Sequence, residues 1–452
     1  MDKYCNLALR FAILILLHTF YKGEYNKVKH VFNEADKIAM ENYGIDADII
    51  EKTRKIEEEI TPIFAAIEEK VEFNQIKVLD AMRKSSLSDY HLTDSTGYGY
   101  NDMGREAIEE IFKSIFRAED ALVRPQIISG THAITLCLLG ILRPDDELLS
   151  ATGAPYDTLG SIVYGKNCGS LADYRIGYRE VDLKDGKPDF EAIKDCITSK
   201  TKMVLIQRSR GYSLRPSLSI DTIQELISYI KDLKSDIICF VDNCYGELVE
   251  TREPIEVGAD LCAGSLIKNL GGGIAPTGGY VVGKSELIKQ CFYRLAAPGL
   301  NKNCGPSIFA NRLIAQGIFY APMVVGEAVK SAVFTSKIME DMGFKVYPKY
   351  SDKRTDIVTA IELGSKDKLI NFCQGIQKVG PVDSHVKPEP SEMPGYNHKV
   401  IMAGGSFIQG SSIEFSADAP LEEPYIVYVQ GGINFFQAKL GILSGLQALR
   451  NL

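Results

Sequence analysis

Between about residues 120 and 285 the sequence alternates short, strongly apolar β-type runs with helical stretches. No other feature restricts the fold as much. Strands are predicted at Glu147–Ala151, Lys202–Gln207, Ile237–Asp242 and Tyr280–Val282, reading ELLSA, KMVLIQ, IICFVD and YVV. Between two of them, Ile223, Leu226, Ile227, Ile230 and Leu233 recur at helical spacing and mark one apolar face. Strands that are apolar throughout, not on alternate residues only, must be covered on both faces. The pattern therefore predicts an open, mostly parallel sheet with helices on either side.

The flanks read differently. Residues 26 to about 90 are charged and helical in pattern, with a break or new start expected at Pro62. Asp89 to Gly104 (DYHLTDSTGYGYNDMG) is rich in turn-formers and tyrosines. A helix follows over Met103–Phe116, with Ile108, Ile111, Phe112, Ile115 and Phe116 on one face. After the Gly/Pro-rich stretch Ala296–Ser307, the last part of the chain reads as a smaller α/β domain. The expected division is residues 1–90 as an N-terminal extension and helical arm, 91–325 as a large domain, and 326–452 as the small one.

Composition excludes several classes of function. The formal net charge over 452 residues is −8 and no long basic run occurs, so nucleic acid is not an expected partner. Ten cysteines lie mostly in apolar runs without CxxC spacing, which fits structural thiols in a reducing, cytoplasmic setting. The six histidines show no metal-ligand spacing, so no metal site is expected. Near the start, Leu7 to Phe20 contains the unbroken apolar stretch Phe11–Leu17, far shorter than the ~20 residues a bilayer span needs. It lacks a signal-peptide cleavage site, reads as a short buried or interfacial helix or as a non-native extension, and gives no reason to expect a membrane.

In an open α/β sheet, ligands bind beyond the carboxyl ends of strands, and three features meet there. Ser129-Gly130-Thr131 opens an apolar helix, where free backbone N–H groups and the positive dipole end can hold an anion; the same turn is also an ordinary helix cap. Asp242 closes the strand ICFVD, facing the crevice or capping a turn. Lys268 lies between an apolar strand and Gly271-Gly272-Gly273, with Ser265 three residues earlier. Burial and neighbouring cations would lower that lysine's pKa and free its amine for Schiff-base chemistry, whereas an exposed lysine would do neither. His132, beside the turn, caps the helix or lies over a ligand. Gly278–Ser285 (GGYVVGKS) matches the P-loop expression letter for letter, but its Tyr-Val-Val interior favours a strand, so ATP is not an expected ligand.

An anion-binding turn, an aspartate and a lysine are together what pyridoxal 5′-phosphate requires. At these residues the chain resembles the fold-type-I, PLP-dependent cysteine/methionine-metabolism family. VDNCYGELVETREPIEVGADLCAGSLIKNLGG is similar to that family's VDN…P…GAD…S-x-x-K-x-L-G-G block. The resemblance is nearest to the methionine γ-lyase-like, aluminium-resistance branch and covers roughly residues 90 to 285. It implies Lys268 as the Schiff-base lysine and Asp242 as partner of the pyridine nitrogen. It implies Ser129, Gly130, Thr131 and Ser265 as phosphate ligands, and Tyr156 stacked on the ring. Tyr100 falls in the family's Tyr-x-Arg-x-Gly loop, which reaches the phosphate of a partner subunit. Here the arginine of that loop is Asp102, with Arg105 the substitute, and Thr158 stands where methionine-cleaving members carry cysteine. The family's late carboxylate-binding arginine has Arg354 as its candidate. The implied activity is β- or γ-elimination from a small sulfur amino acid, in a homodimer or homotetramer with shared sites. A transaminase, a γ-synthase or a non-catalytic PLP-carrying stress protein remain open on the same residues.

Overall fold

The computed structural model describes residues 32–452 apart from Pro394 and Asn397; the apolar start lies outside the described residues. Residues up to Lys55 form one compact unit and Ile56–Leu452 another, which holds both sheets. In the first, Asn33 caps the helix Glu34–Tyr43 by a capping box with Asp36, whose carboxylate also receives Arg54 at 2.6 Å. The helix Ala47–Lys84 runs unbroken through Pro62, so the expected break does not occur. Pro62 is exposed, which leaves the carbonyl it deprives of a hydrogen bond open to solvent.

Seven strands make the large sheet: β1 (Asp120–Arg124), β2 (Glu147–Ser150), β3 (Gly177–Glu180), β4 (Thr201–Gln207), β5 (Ile238–Asp242), β6 (Leu261–Ser265) and β7 (Gly279–Gly283). Their order is β1-β7-β6-β5-β4-β2-β3. The run β6-β5-β4-β2-β3 is parallel, and β7 is antiparallel to both neighbours. Most of the P-loop look-alike is thus the interior strand β7, every residue of which is buried. Successive β4 residues serve opposite faces. Met203 and Leu205 pack with Ile134, Leu138, Ile288 and Cys291, from the helices Gly130–Ile141 and Ser285–Leu295. Val204 and Ile206 pack with Ile223, Leu226, Ile227 and Ile230 of the helix Ile220–Leu233, whose N-cap is Ser219. A fully buried Leu, Ile or Phe side chain contributes roughly 1.5–3 kcal/mol, so these two layers dominate the stability of the sheet.

The smaller sheet contains β8 (Lys345–Tyr347), β9 (Val358–Glu362), β10 (Val400–Ala403), β11 (Ser416–Pro420) and β12 (Ile426–Gln430). It is antiparallel throughout, in the order β10-β11-β12-β9-β8. The helix Asn311–Asp341 is, among the described residues, the one helix long and apolar enough to cross a membrane, and most of that apolar stretch is buried inside the fold.

β2 and β3 progress to one side of the parallel run, and β4, β5 and β6 to the other. The order therefore reverses between β2 and β4, where the carboxyl ends of neighbouring strands open a crevice.

Candidate active site

That crevice is a cavity of about 400 Å³. One wall is built at strand ends of the large sheet, with Tyr156 following β2, Gln207 closing β4, Asp242 closing β5 and Ser265 closing β6. Ser129, Gly130 and Thr131 enter from the helix they begin, and Lys268 from the loop after β6. Seven of the residues singled out from sequence are therefore brought together: Lys268, Asp242, Ser265, Ser129, Gly130, Thr131 and Tyr156.

Local chemistry explains the placements. Ser129 Oγ accepts from His132 N at 3.0 Å and so caps the helix. The backbone N–H groups of Gly130 and Thr131 lie in the first turn, where a helix has no internal acceptors. A Cβ on Gly130 would lie 3.1 Å from Cys244 Sγ and 3.4 Å from the Ser265 Cβ, so the turn approaches the neighbouring strand ends closely only as glycine. His132 Nδ1 accepts from Ile128 N at 3.3 Å, making the ring part of the cap. Thr131 and Thr158 share a hydroxyl contact of 3.0 Å. Tyr156 N donates to Gln207 Oε1 at 2.8 Å, which fixes the tyrosine over the cavity.

The triple glycine after Lys268 answers to packing. A Cβ on Gly271 would lie 1.6 Å from Leu266 O, and one on Gly317 would lie 2.4 Å from Gly271 O. The loop after Lys268 therefore seats directly on the backbone of the helix Asn311–Asp341.

The electrostatics of Lys268 differ from the sequence expectation. Its Nζ lies 4.0 Å from the centre of the Tyr245 ring. Burial alone would lower its pKa, but Cys244, Tyr245, Asp242 and Glu247 outweigh burial and hold the ammonium above its ordinary range. Burial pushes the Cys244 thiol and the Tyr245 phenol up as well. Asp242 is buried and accepts from Cys244 N at 3.1 Å. Burial raises its pKa, and the Lys268 charge pulls it part of the way back.

Three candidates do not join the cavity. Arg354 is buried, and its guanidinium is spent on Val358 O, Thr359 Oγ1, Ala332 O and Ser336 Oγ. Arg105 is likewise committed to the carbonyls of Gly99, Gly305 and Asn303. Neither lines the cavity, and the terminal nitrogens of both are committed within the fold. Tyr100 is 58% exposed and stacked on Tyr98, away from the cavity of its own chain. Cysteines as purely structural thiols also need correcting: Cys244 lines the cavity.

The opposite wall comes from the segments around β10 and β11: Gly404, Ser406, Ser411, Ser412, Ser416 and Asp418. No sequence signal singled these out. Tyr396 joins them, its hydroxyl 2.7 Å from that of Tyr156, and Tyr212 packs edge-on to Tyr156 and stacks on Tyr428. Asp418 Oδ2 accepts from Gln430 Nε2 at 2.7 Å, and burial pushes its carboxyl up to about 7.

A helix N-terminus, a buried carboxyl at a strand end and a half-buried lysine on one cavity form a donor set that fits pyridoxal 5′-phosphate. The sequence from 49 to 450 matches the methionine γ-lyase family. The chain belongs to that family. An uncharacterised Bacillus subtilis protein, YnbB, is 51% identical over 89% of this chain and 97% of its own length. A Clostridium novyi structure, called a carbon-sulfur lyase involved in aluminum resistance, is 46% identical, covers 93% of this chain and 100% of its own, and superposes with a TM-score of 0.89. The methionine gamma lyase of Micromonospora echinospora is 18% identical, covers 78% of this chain and 87% of its own, and has a TM-score of 0.55, which establishes a shared fold. The architecture is that of the fold-type-I PLP enzymes, a family trait that includes dependence on the cofactor.

Proposed function

We propose that this chain is a PLP-dependent carbon–sulfur lyase acting on a small sulfur-containing amino acid, releasing a 2-oxo acid, ammonia and a thiol. The observation that carries the reading is the half-buried Lys268 sharing one cavity with buried Asp242 and the Ser129–Thr131 helix start. When bound, pyridoxal 5′-phosphate supplies an electron sink conjugated to the substrate Cα.

The protein's own part is binding, orientation and proton handling. Backbone N–H groups of Gly130 and Thr131, with the Ser129 and Ser265 hydroxyls, hold the phosphate; the helix dipole adds to this attraction. Asp242 keeps a proton on the pyridine nitrogen, a role its burial suits because few other partners compete for the carboxylate. Tyr156 covers the ring. Lys268, in the loop seated on the helix Asn311–Asp341, is the base that takes the Cα proton. Tyr100, exposed on its own chain, fits a homo-oligomer in which it completes the phosphate site of a partner subunit.

The test is product analysis of the PLP-loaded protein with cysteine, cystathionine, homocysteine and methionine. Formation of 2-oxo acid and ammonia together with thiol, without any added acceptor, is the expected result. A reaction that proceeds only when a 2-oxo acid is supplied would instead make the protein a transaminase.

A further inference from the structure

The wall facing the cofactor-binding residues has polar groups that the folded chain leaves unmatched. Ser411 Oγ and Ser416 Oγ are shut off from solvent and have no hydrogen-bond partner. Asp418 is the one carboxyl on this wall, and among the described residues only Gln430 bonds to it, through Oδ2. Both serine oxygens are closed off from the cavity as well, so the group on this wall left to meet a ligand is Asp418, whose Oδ1 carries no bond among the described residues. A cofactor held by Asp242, Ser265 and the Ser129 turn leaves this wall to meet the side chain of the substrate.

Resting on the lyase reading above, we propose that Asp418 is a further catalytic residue, the acid that protonates the departing sulfur. For a leaving group at Cβ, Lys268 takes the Cα proton. The carbon–sulfur bond then breaks with both electrons on sulfur, and the proton on Asp418 moves to that sulfur, so that a neutral thiol leaves. The proton held by Lys268 restores the one Asp418 gave, through solvent, and no oxidant or reductant enters.

Other acids are less suited. The Tyr156 and Tyr396 hydroxyls are bonded to each other, and burial pushes both phenols up. Tyr212 and Tyr245, which also face Asp418, are raised in the same way. Cys373 and the cross-strand neighbour Tyr428 are pushed up by burial too. Glu247, pushed up to about 8, bonds to Tyr280 and does not line the cavity. Lys268 is the cation that Asp418 feels. Asp418, at about 7, both holds a proton near neutrality and releases it readily.

The experiment compares Asp418→Asn with the unaltered holoenzyme on two cysteine thioethers, S-ethylcysteine and S-(4-nitrophenyl)cysteine. The ethanethiolate is strongly basic and needs a proton to leave; the nitrothiophenolate does not. Loss of a general acid predicts a fall in kcat of about 100-fold or more for the ethyl substrate and less than about 5-fold for the nitrophenyl one. Retained turnover of the nitrophenyl substrate also shows that the variant is folded and loaded. For the ethyl substrate, the unaltered enzyme should lose kcat as pH rises through about 7, and the variant should lack that limb. Equal losses on both substrates, or a limb that survives in the variant, would overturn the role of Asp418. If the unaltered holoenzyme released no 2-oxo acid from either thioether, the lyase reading itself would fail, a result separate from either of those.

Discussion

The two walls of the cavity are built by different means. The large-sheet wall uses backbone positions dictated by topology, namely the last residues of parallel strands, the first turn of a helix and a loop pressed on another helix. The C-terminal wall uses side chains from an antiparallel sheet and its loops, where serines and one carboxyl line the cavity. A wall made of backbone and strand ends suits a constant ligand such as a cofactor. A wall made of interchangeable side chains suits the part of the reaction that varies, the substrate and its leaving group.

Substitutions can break or sharpen that contrast. Asp242→Asn removes the charge that holds a ring proton while keeping the shape, and should lower kcat/KM by roughly 10²- to 10³-fold on every substrate tested. A loss confined to one substrate would blur the distinction between the walls. Arg354→Met should act on stability instead, because its guanidinium satisfies four buried oxygens. Denaturant unfolding should show a loss of about 2–3 kcal/mol, with KM for the amino acid within about 2-fold of the parent. A large rise in KM without loss of stability would return Arg354 to the substrate.

A third prediction concerns pH. Burial raises Glu247 from 4.5 to about 8 and Asp418 from 3.8 to about 7. The folded state then binds more protons than the unfolded chain across this interval, so the stability of the cofactor-free protein should fall as pH rises from about 4 to about 8. Melting temperatures across that range should decline, and Glu247→Gln should flatten the upper part of the decline. The smallest effect is expected at the phosphate turn. Gly130→Ala puts a methyl 3.1 Å from Cys244 Sγ, and should weaken cofactor binding about 10-fold, near 1.4 kcal/mol, in an equilibrium titration.

The sequence made the first wall legible because its residues sit in local patterns. Asp242 ends an apolar run, Ser129-Gly130 opens a helix, and Ser265-x-x-Lys268 precedes glycines that the packing demands. In the large sheet the apolar runs also marked β2, β4, β5 and β7, and β6 as the strand before Lys268, whereas β1 and β3 escaped notice. Charged residues interrupt both, and β3 is a largely exposed edge strand. Asp418 and its serines carried no pattern, since SFIQGSSIEFSADAP reads as a polar loop until the register of β11 with β12 turns Asp418 toward the cavity. Arg354 and Arg105 lie outside the cavity, with their terminal nitrogens bonded within the fold, which a sequence cannot show.

The central claim is that Lys268 holds the cofactor, and borohydride reduction of the PLP-loaded protein followed by peptide mass spectrometry tests it directly. The account predicts a pyridoxyl label on the peptide containing Lys268, absent from Lys268→Ala together with the bound cofactor's visible absorbance. A label on another lysine, or an unchanged adduct in Lys268→Ala, would contradict it.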